Sequence, residues 1–299
     1  MTALRLGTRR SPLALAQAEE VRALLAAAGV DAEIVPLSTS GDEGATAPTG
    51  SATLKGLWID KILDALGAGE IDVAVHSAKD LPAQDSFPIA AVPERADPRD
   101  VIVARRAKLP PAATIGTSSI RRRAQLLGSD PSLRFTELRG NVDTRLRKVE
   151  LGEVDAAVLA AAGLQRLGLR PANATVLSID EMVPSPGQGC LALQIRADDA
   201  RAREALLPLD HAPSHRALNA ERELVRLLDG GCDLPLGAYA TAAGQGRVTI
   251  VAVVASADGE LILRVAVEGP DELSAAQKAA EQLVAAGAAE ILTDLGKSL

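Results

Sequence analysis

Apolar residues in this chain fall into two kinds of run, short unbroken ones and longer ones at helical spacing. Leu4-Arg5-Leu6-Gly7-Thr8 reads as a strand. Ser11 then stands where an N-cap belongs and Pro12 takes the first helical position. Ala14, Ala18, Val21, Leu25 and Ala28 recur on one helix face until Gly29. Residues 33–38 predict the next strand, so the chain opens β-α-β. Residues 40–53 show no periodicity and predict a long loop, read as an active-site lid. A helix over about 57–67 precedes a buried strand over 71–76, and Ser77-Ala78-Lys79-Asp80-Leu81-Pro82 forms the turn at its C-terminal end. In open α/β sheets that end is where ligands bind.

Asp97-Pro98-Arg99-Asp100 predicts a crossing into a second domain. There the pattern predicts strands over 114–116, 135–138 and 154–159, with helices from about 120 and over 141–151. Ser185 to Gly189 predicts the return crossing, and Leu191 to Ile195 a strand pairing back into the first domain. From about residue 212 the pattern changes to a helix (214–228), two strands (247–255, 261–267) and a helix (271–287). That order predicts a small α+β domain. No sequence repeat is visible. The expected division is 1–96 with 188–208, then 97–187, then 209–299.

Composition narrows the function classes. The chain has 299 residues, of which 47% are hydrophobic and 1% aromatic. The core must therefore be aliphatic, and a base-stacking surface is disfavoured. Cys190 and Cys232 are too few for a disulfide framework, and no secretory or membrane-spanning run is apparent, so the expected compartment is the cytoplasm. The net charge is −7. Against that acidic background Arg121, Arg122, Arg123, Arg134, Arg139, Arg145, Arg147 and Lys148 crowd into one stretch. A local arginine concentration in an acidic protein points to a discrete anionic ligand rather than a long polyanion.

Gly116-Thr117-Ser118-Ser119-Ile120-Arg121-Arg122 is the strongest local signal. Hydroxyls and unpaired backbone N–H groups at a helix start favour an anion, and guanidinium forks match carboxylates. The plain alternative is a helix cap with solvated arginines. Arg139-Gly140-Asn141 to Arg145, Arg9 with Ser11, and Arg166 after a buried strand repeat the theme at other strand-to-helix turns. Asp80 beside Lys79 reads either as a carboxylate that stabilises a developing cation or as a turn cap. His76, at a buried strand end, reads as structural, and His211 and His215 carry no role. Cys232 follows Gly230-Gly231 on an open loop and reads either as a nucleophile or as a small apolar residue. No metal spacing and no phosphate-loop or dinucleotide fingerprint appears.

Together these segments resemble the porphobilinogen deaminase (hydroxymethylbilane synthase) family. The matching motifs are Leu4 to Ala14, His76 to Pro82, Gly116 to Arg122, Leu138 to Arg145, Ala162 to Gly168, Gly187-Gln188-Gly189, and Glu221-Arg222 through Gly231-Cys232 to Gly237. The resemblance implies two doubly wound α/β domains like those of periplasmic binding proteins, with a cleft between them, and a third domain carrying the cofactor cysteine. It implies a dipyrromethane cofactor joined to Cys232 by a thioether. Four porphobilinogen molecules add in turn with loss of ammonia, and hydrolysis frees the linear tetrapyrrole. It further implies Asp80 as the catalytic carboxylate. Arg9, Ser11, Gln17, Lys55, Ser77, Lys79, Thr117, Ser119, Arg121, Arg122, Arg139, Arg145, Arg166 and Gln188 are the implied cofactor- and substrate-binding residues. Neither metal nor nucleic acid is implied. A cytoplasmic monomer whose product passes to uroporphyrinogen-III synthase is. On this reading Arg122→Ala should impair ligand binding rather than stability.

The chain departs from the family pattern near the lid. Many relatives have glycine-lysine-glycine before a phenylalanine, whereas here Thr53-Leu54-Lys55-Gly56-Leu57-Trp58 keeps the lysine and substitutes tryptophan. Two other readings compete with the enzyme. A non-enzymatic anion-binding protein of the same fold would have no use for a Gly-Gly-Cys loop. A nucleic-acid binder would conflict with the acidic charge and scarce aromatics.

Overall fold

The computed structural model describes residues 2–37, 54–82, 84, 86–228, 234–243 and 246–294. The chain divides into two compact units, Met1–Arg95 with Cys190–His215, and Ala96–Gly189 with Arg216–Leu299.

The first unit is built on one five-stranded sheet. Its spatial order is Ala32–Leu37, Leu4–Arg9, Val73–Ser77, Leu191–Gln194, Ile89–Ala91. The first three strands run parallel, and Leu191–Gln194 runs antiparallel to both of its neighbours. The expected return of 191–195 into the first sheet is borne out. The helix Pro12–Ala27 starts as the sequence predicts, with Ser11 accepting from the Ala14 N–H at 3.3 Å and Pro12 in the first turn. Its inner face is buried with Leu4, Leu6, Val73, Val75 and Leu193 in one apolar cluster. Gly7 gives room to Ile71, because a Cβ there would lie 2.2 Å from Ile71 Cδ1. A helix at Leu54–Gly67 starts three residues before the expected position. The 40–53 lid lies outside the described residues.

The second unit contains two sheets. The larger has the spatial order Arg134–Thr136, Thr114–Gly116, Ala156–Ala160, Asp100–Ala104, Ala174–Val176. Again three parallel strands are followed by a strand antiparallel to both neighbours. Asp100 therefore opens a sheet strand instead of closing a linker. The second sheet is an antiparallel meander of Leu236–Ala243, Arg247–Ala255 and Ile262–Gly269. The helix Glu272–Ala285 packs on it, and Asp271 caps that helix by accepting from the Ser274 N–H. The pattern predicted two strands here. The third, Leu236-Gly-Ala-Tyr-Ala-Thr-Ala-Ala, lacks the β-branched run that marks a strand and is held by pairing with its neighbour. The molecule is thus mixed α/β, as expected. Among the described residues no helix is long and apolar enough to cross a membrane.

Candidate functional site

In the first unit the strands Leu4–Arg9 and Val73–Ser77 end side by side, and their following turns enclose a pocket. Arg9 closes one strand, Ser11 caps the helix after it, and Gln17 projects from that helix's buried face. Ser77 closes the other strand, and Asp80 ends the short 3-10 turn Ala78–Asp80 that follows. That turn is pinned where the Ala78 N–H donates to the Cys190 carbonyl at 3.0 Å. Thr8 stitches the opposite wall, its hydroxyl donating to the Ala14 carbonyl. The pocket thus brings together Arg9, Ser11, Gln17, Ser77 and Asp80, with Ile59, Ile62 and Val75 among its apolar walls. Lys79 is on the same turn, half-buried, though not in the pocket lining.

His76 also lines this pocket. It is 6% exposed, and its Nε2 has no hydrogen-bond partner among the described residues. Burial lowers its pKa to about 4, against the opposing pull of Asp80. The ring is therefore neutral at ordinary pH.

The second unit gathers another set around Asp100, which is fully buried. Arg121 Nη2 donates to Asp100 Oδ2 at 2.8 Å, and Arg122 Nη2 to Oδ1 at 2.7 Å. Gln188 Nε2 donates to the same Oδ1 at 2.9 Å and to the Pro98 carbonyl at 2.7 Å. The remaining arginine reach goes to backbone, Arg121 to the Val183 carbonyl and Arg122 to the Val158 carbonyl. Arg121 Nε is buried without a hydrogen-bond partner among the described residues. Burial alone would raise the Asp100 pKa, but Arg121, Arg122 and the Gln188 bond outweigh it and hold the carboxyl well below the usual carboxylate range. Both arginines are thus buried and paired, so the picture of solvated arginines on a helix cap fails here. Asp100 went unnoticed at the sequence level. The signal was an aspartate opening the apolar run Asp100-Val-Ile-Val-Ala, since a fully buried carboxylate needs a cation.

Thr117 and Ser119 lie at the start of the helix Ile120–Ser129. Ser119 Oγ accepts from the Arg122 N–H at 3.4 Å, and the Ser119 N–H donates to Thr117 Oγ1 at 3.1 Å. Arg166, half-buried, donates to the Gly189 carbonyl at 3.2 Å. Arg139 is exposed and pairs with Glu137 at 2.7 Å, while Arg145 donates to the Gly140 carbonyl at 2.8 Å. Arg121, Arg122 and Gln188 are thus drawn onto one carboxylate, whereas Arg139 pairs with Glu137 and Arg145 donates to the Gly140 carbonyl, each near its own turn. Lys55 falls on the helix Leu54–Gly67. Cys232 lies outside the described residues.

Comparison with known proteins covers almost the whole chain. Residues 4–204 match the family model described as porphobilinogen deaminase, dipyromethane cofactor binding domain. Residues 216–293 match the model of the porphobilinogen deaminase C-terminal domain. A porphobilinogen deaminase of Acidithiobacillus ferrooxidans is 44% identical over 98% of both chains. One of Brevibacillus brevis is 40% identical over 97% of both. Among solved structures, a methionine-bound nutrient binding protein of Burkholderia cenocepacia aligns with a TM-score of 0.44 and 14% identity, over 72% of this chain and 94% of that one.

Proposed function

This chain belongs to the porphobilinogen deaminase family, and from that premise we propose that it deaminates porphobilinogen and joins four molecules head to tail, releasing hydroxymethylbilane by hydrolysis. A covalently held dipyrromethane supplies the primer on which the chain grows. The single observation that carries the site assignment is the first-unit pocket, where Arg9, Ser11 and Asp80 line one space at the ends of two parallel strands.

The residues suit a ligand of this chemistry. Pyrroles bearing acetate and propionate groups need donors for carboxylates and acceptors for ring N–H groups. Arg9 with the Ser11 and Ser77 hydroxyls supplies the former, and Asp80 supplies an acceptor. Loss of ammonia from the substrate leaves an electron-poor ring, and the Asp80 carboxylate would stabilise that positive charge and hold a proton in transit. Cys232 anchors the cofactor. Arg121, Arg122, Thr117, Ser119, Arg139, Arg145, Arg166 and Gln188 would serve the cofactor and the lengthening chain, with Lys55, Lys79 and Gln17 completing the set. Arg121 and Arg122 already give donors to Asp100 and to backbone carbonyls, so their part in binding would require this cluster to rearrange.

We extend the proposal to three domains with the boundaries expected from sequence. Supporting it, each of the three sheets has apolar clusters of its own. A cytoplasmic monomer that passes its product to uroporphyrinogen-III synthase completes the reading, and sedimentation would check the oligomeric state. The decisive test is the intact mass of the purified protein beside a Cys232→Ser variant. An excess of two linked pyrrole units, absent from the variant, supports enzyme, cofactor and anchor together. No mass gain even after incubation with porphobilinogen would overturn the reading in favour of an anion-binding protein.

A further inference from the structure

We propose that Glu221 is a positioning residue: through the turn at 185–188 it holds the acceptors of the buried arginine cluster in register with the strand that follows the cofactor anchor. The proposal rests on the functional reading above, which makes Cys232 the anchor, and adds a residue from outside the binding set.

Glu221 lies on the helix Ala212–Leu227 and is fully buried. Its Oε2 accepts the Gly187 N–H at 2.6 Å, and its Oε1 accepts the Ala240 N–H at 2.7 Å. The two donors belong to different parts of the second unit. Ala240 is in the strand Leu236–Ala243, which begins four residues after Cys232. Gly187 is in a turn closed where the Gln188 N–H donates to the Ser185 carbonyl at 2.9 Å. It takes a φ of 72°, a left-handed conformation that a side chain would strain. The next residue, Gln188, donates to Asp100 Oδ1, the oxygen that also holds Arg122. Adjacent residues of one turn are thus bonded to opposite partners, Gly187 to the clamp on the anchor strand and Gln188 to the arginine cluster.

The same two elements meet at a second place. The Ala238 N–H donates to the Pro184 carbonyl at 2.9 Å. Gly237 approaches Val183 so closely that a Cβ there would lie 2.8 Å from the Val183 oxygen. That oxygen accepts Arg121 Nη1 at 2.6 Å and Gln125 Nε2 at 3.0 Å. From 183 to 188 the chain is therefore a bracket, bonded on one side to the strand that leaves the anchor and on the other to Arg121 and Asp100. Any rearrangement of the arginines toward a ligand starts from acceptors this bracket fixes. An apolar residue at 221 would fill the same space but leave two buried N–H groups unmet, whereas a carboxylate sets both by directional bonds. A displacement of about 1 Å, even one set up far from the chemistry, can cost about 100-fold in rate.

Glu221→Gln keeps the size and turns one acceptor into a donor that faces an N–H. The purified holoenzyme variant should still carry the dipyrromethane mass and take up porphobilinogen with KM within about twofold. Its kcat per folded molecule should fall about 10- to 100-fold. Intact masses taken during turnover should show a larger share of partly elongated chains than the unaltered protein does. Gly237→Ala presses on the bracket from the strand side and should shift the masses the same way. A lower Tm with kcat per folded molecule and the mass distribution unchanged would make Glu221 merely structural and overturn the inference. Hydrogen exchange in the unaltered holoenzyme decides the matter if neither variant folds. Peptides spanning 183–189 and 236–243 should exchange slowly, and equally before and after porphobilinogen is added. Faster exchange in either after addition means a bracket that opens, which also overturns the inference. Failure of the unaltered protein to take up porphobilinogen overturns the functional reading instead.

Discussion

The two α/β sheets are built to one plan and put their acids to opposite uses. Each has three parallel strands, then an antiparallel strand brought in from across a chain crossing, then a short edge strand. In each, a Gly-Thr pair lies at the end of a strand and the next helix is capped by a serine, Gly7-Thr8 to Ser11 in the first (the strand ending at Arg9) and Gly116-Thr117 to Ser119 in the second (the strand ending at Gly116). In the first sheet Asp80 faces a pocket beside a histidine with unmet bonding capacity. In the second, Asp100 is sealed away and saturated by two arginines and a glutamine. Counting arginines in a sequence therefore does not count the positive charge available to a ligand. Two of the most suggestive ones already hold a carboxylate of the protein itself.

That contrast can be broken experimentally. Asp80→Ala should reduce kcat by about 1,000-fold or more with Tm scarcely changed, measured by product formation and thermal unfolding. Substantial residual turnover would remove Asp80 from the centre of the chemistry. Arg122→Ala should, unlike Asp80→Ala, cost stability, since it leaves Asp100 buried with one partner fewer. The sequence alone suggested an effect on binding rather than stability, and the buried pair adds a stability cost. The expected loss is about 3–5 kcal/mol in denaturant unfolding.

Acid should separate the two sites further. The native His76 pKa is about 4 against an ordinary 6.5. Between those values the unfolded chain binds a proton that the native one refuses, so stability falls as pH drops through that window, by about 3 kcal/mol in all. His76→Phe should flatten that slope between about pH 6.5 and 4. The Asp100 contribution has the same sign but is lost only at lower pH, because its native pKa is depressed further. Smallest of all, Arg139→Ala removes an exposed pair with Glu137 and should change stability by no more than about 0.5 kcal/mol, within the scatter of surface ion pairs.

Much of the first unit was legible because its signals are local. Ser11-Pro12 specifies a helix start by short-range hydrogen bonding and a fixed backbone angle, and the apolar run before His76 specifies a buried strand. The same holds for Ser119. What escaped was set by distant pairing. Asp100 and Arg121 are twenty-one residues apart in sequence, and nothing local announces that one neutralises the other. The strand Leu236–Ala243 is alanine-rich and takes its form from its neighbour. His76 was read as structural because a buried histidine usually is, and only the geometry reveals that its Nε2 is unmet. The shared plan of the two sheets left no repeat in the sequence, since the same topology is satisfied by many aliphatic combinations.

The strand Leu191–Gln194 lies inside the first sheet, between Val73–Ser77 and Ile89–Ala91, yet it is synthesised about a hundred residues after them. The strands of the second α/β sheet, from Asp100 to Val176, all leave the ribosome before it. At about 5–20 residues per second the first sheet waits roughly 5–20 seconds with an apolar edge unpaired. The amino-terminal unit is therefore completed after the sheet that follows it, and until residue 194 emerges the nascent chain carries an unpaired apolar edge.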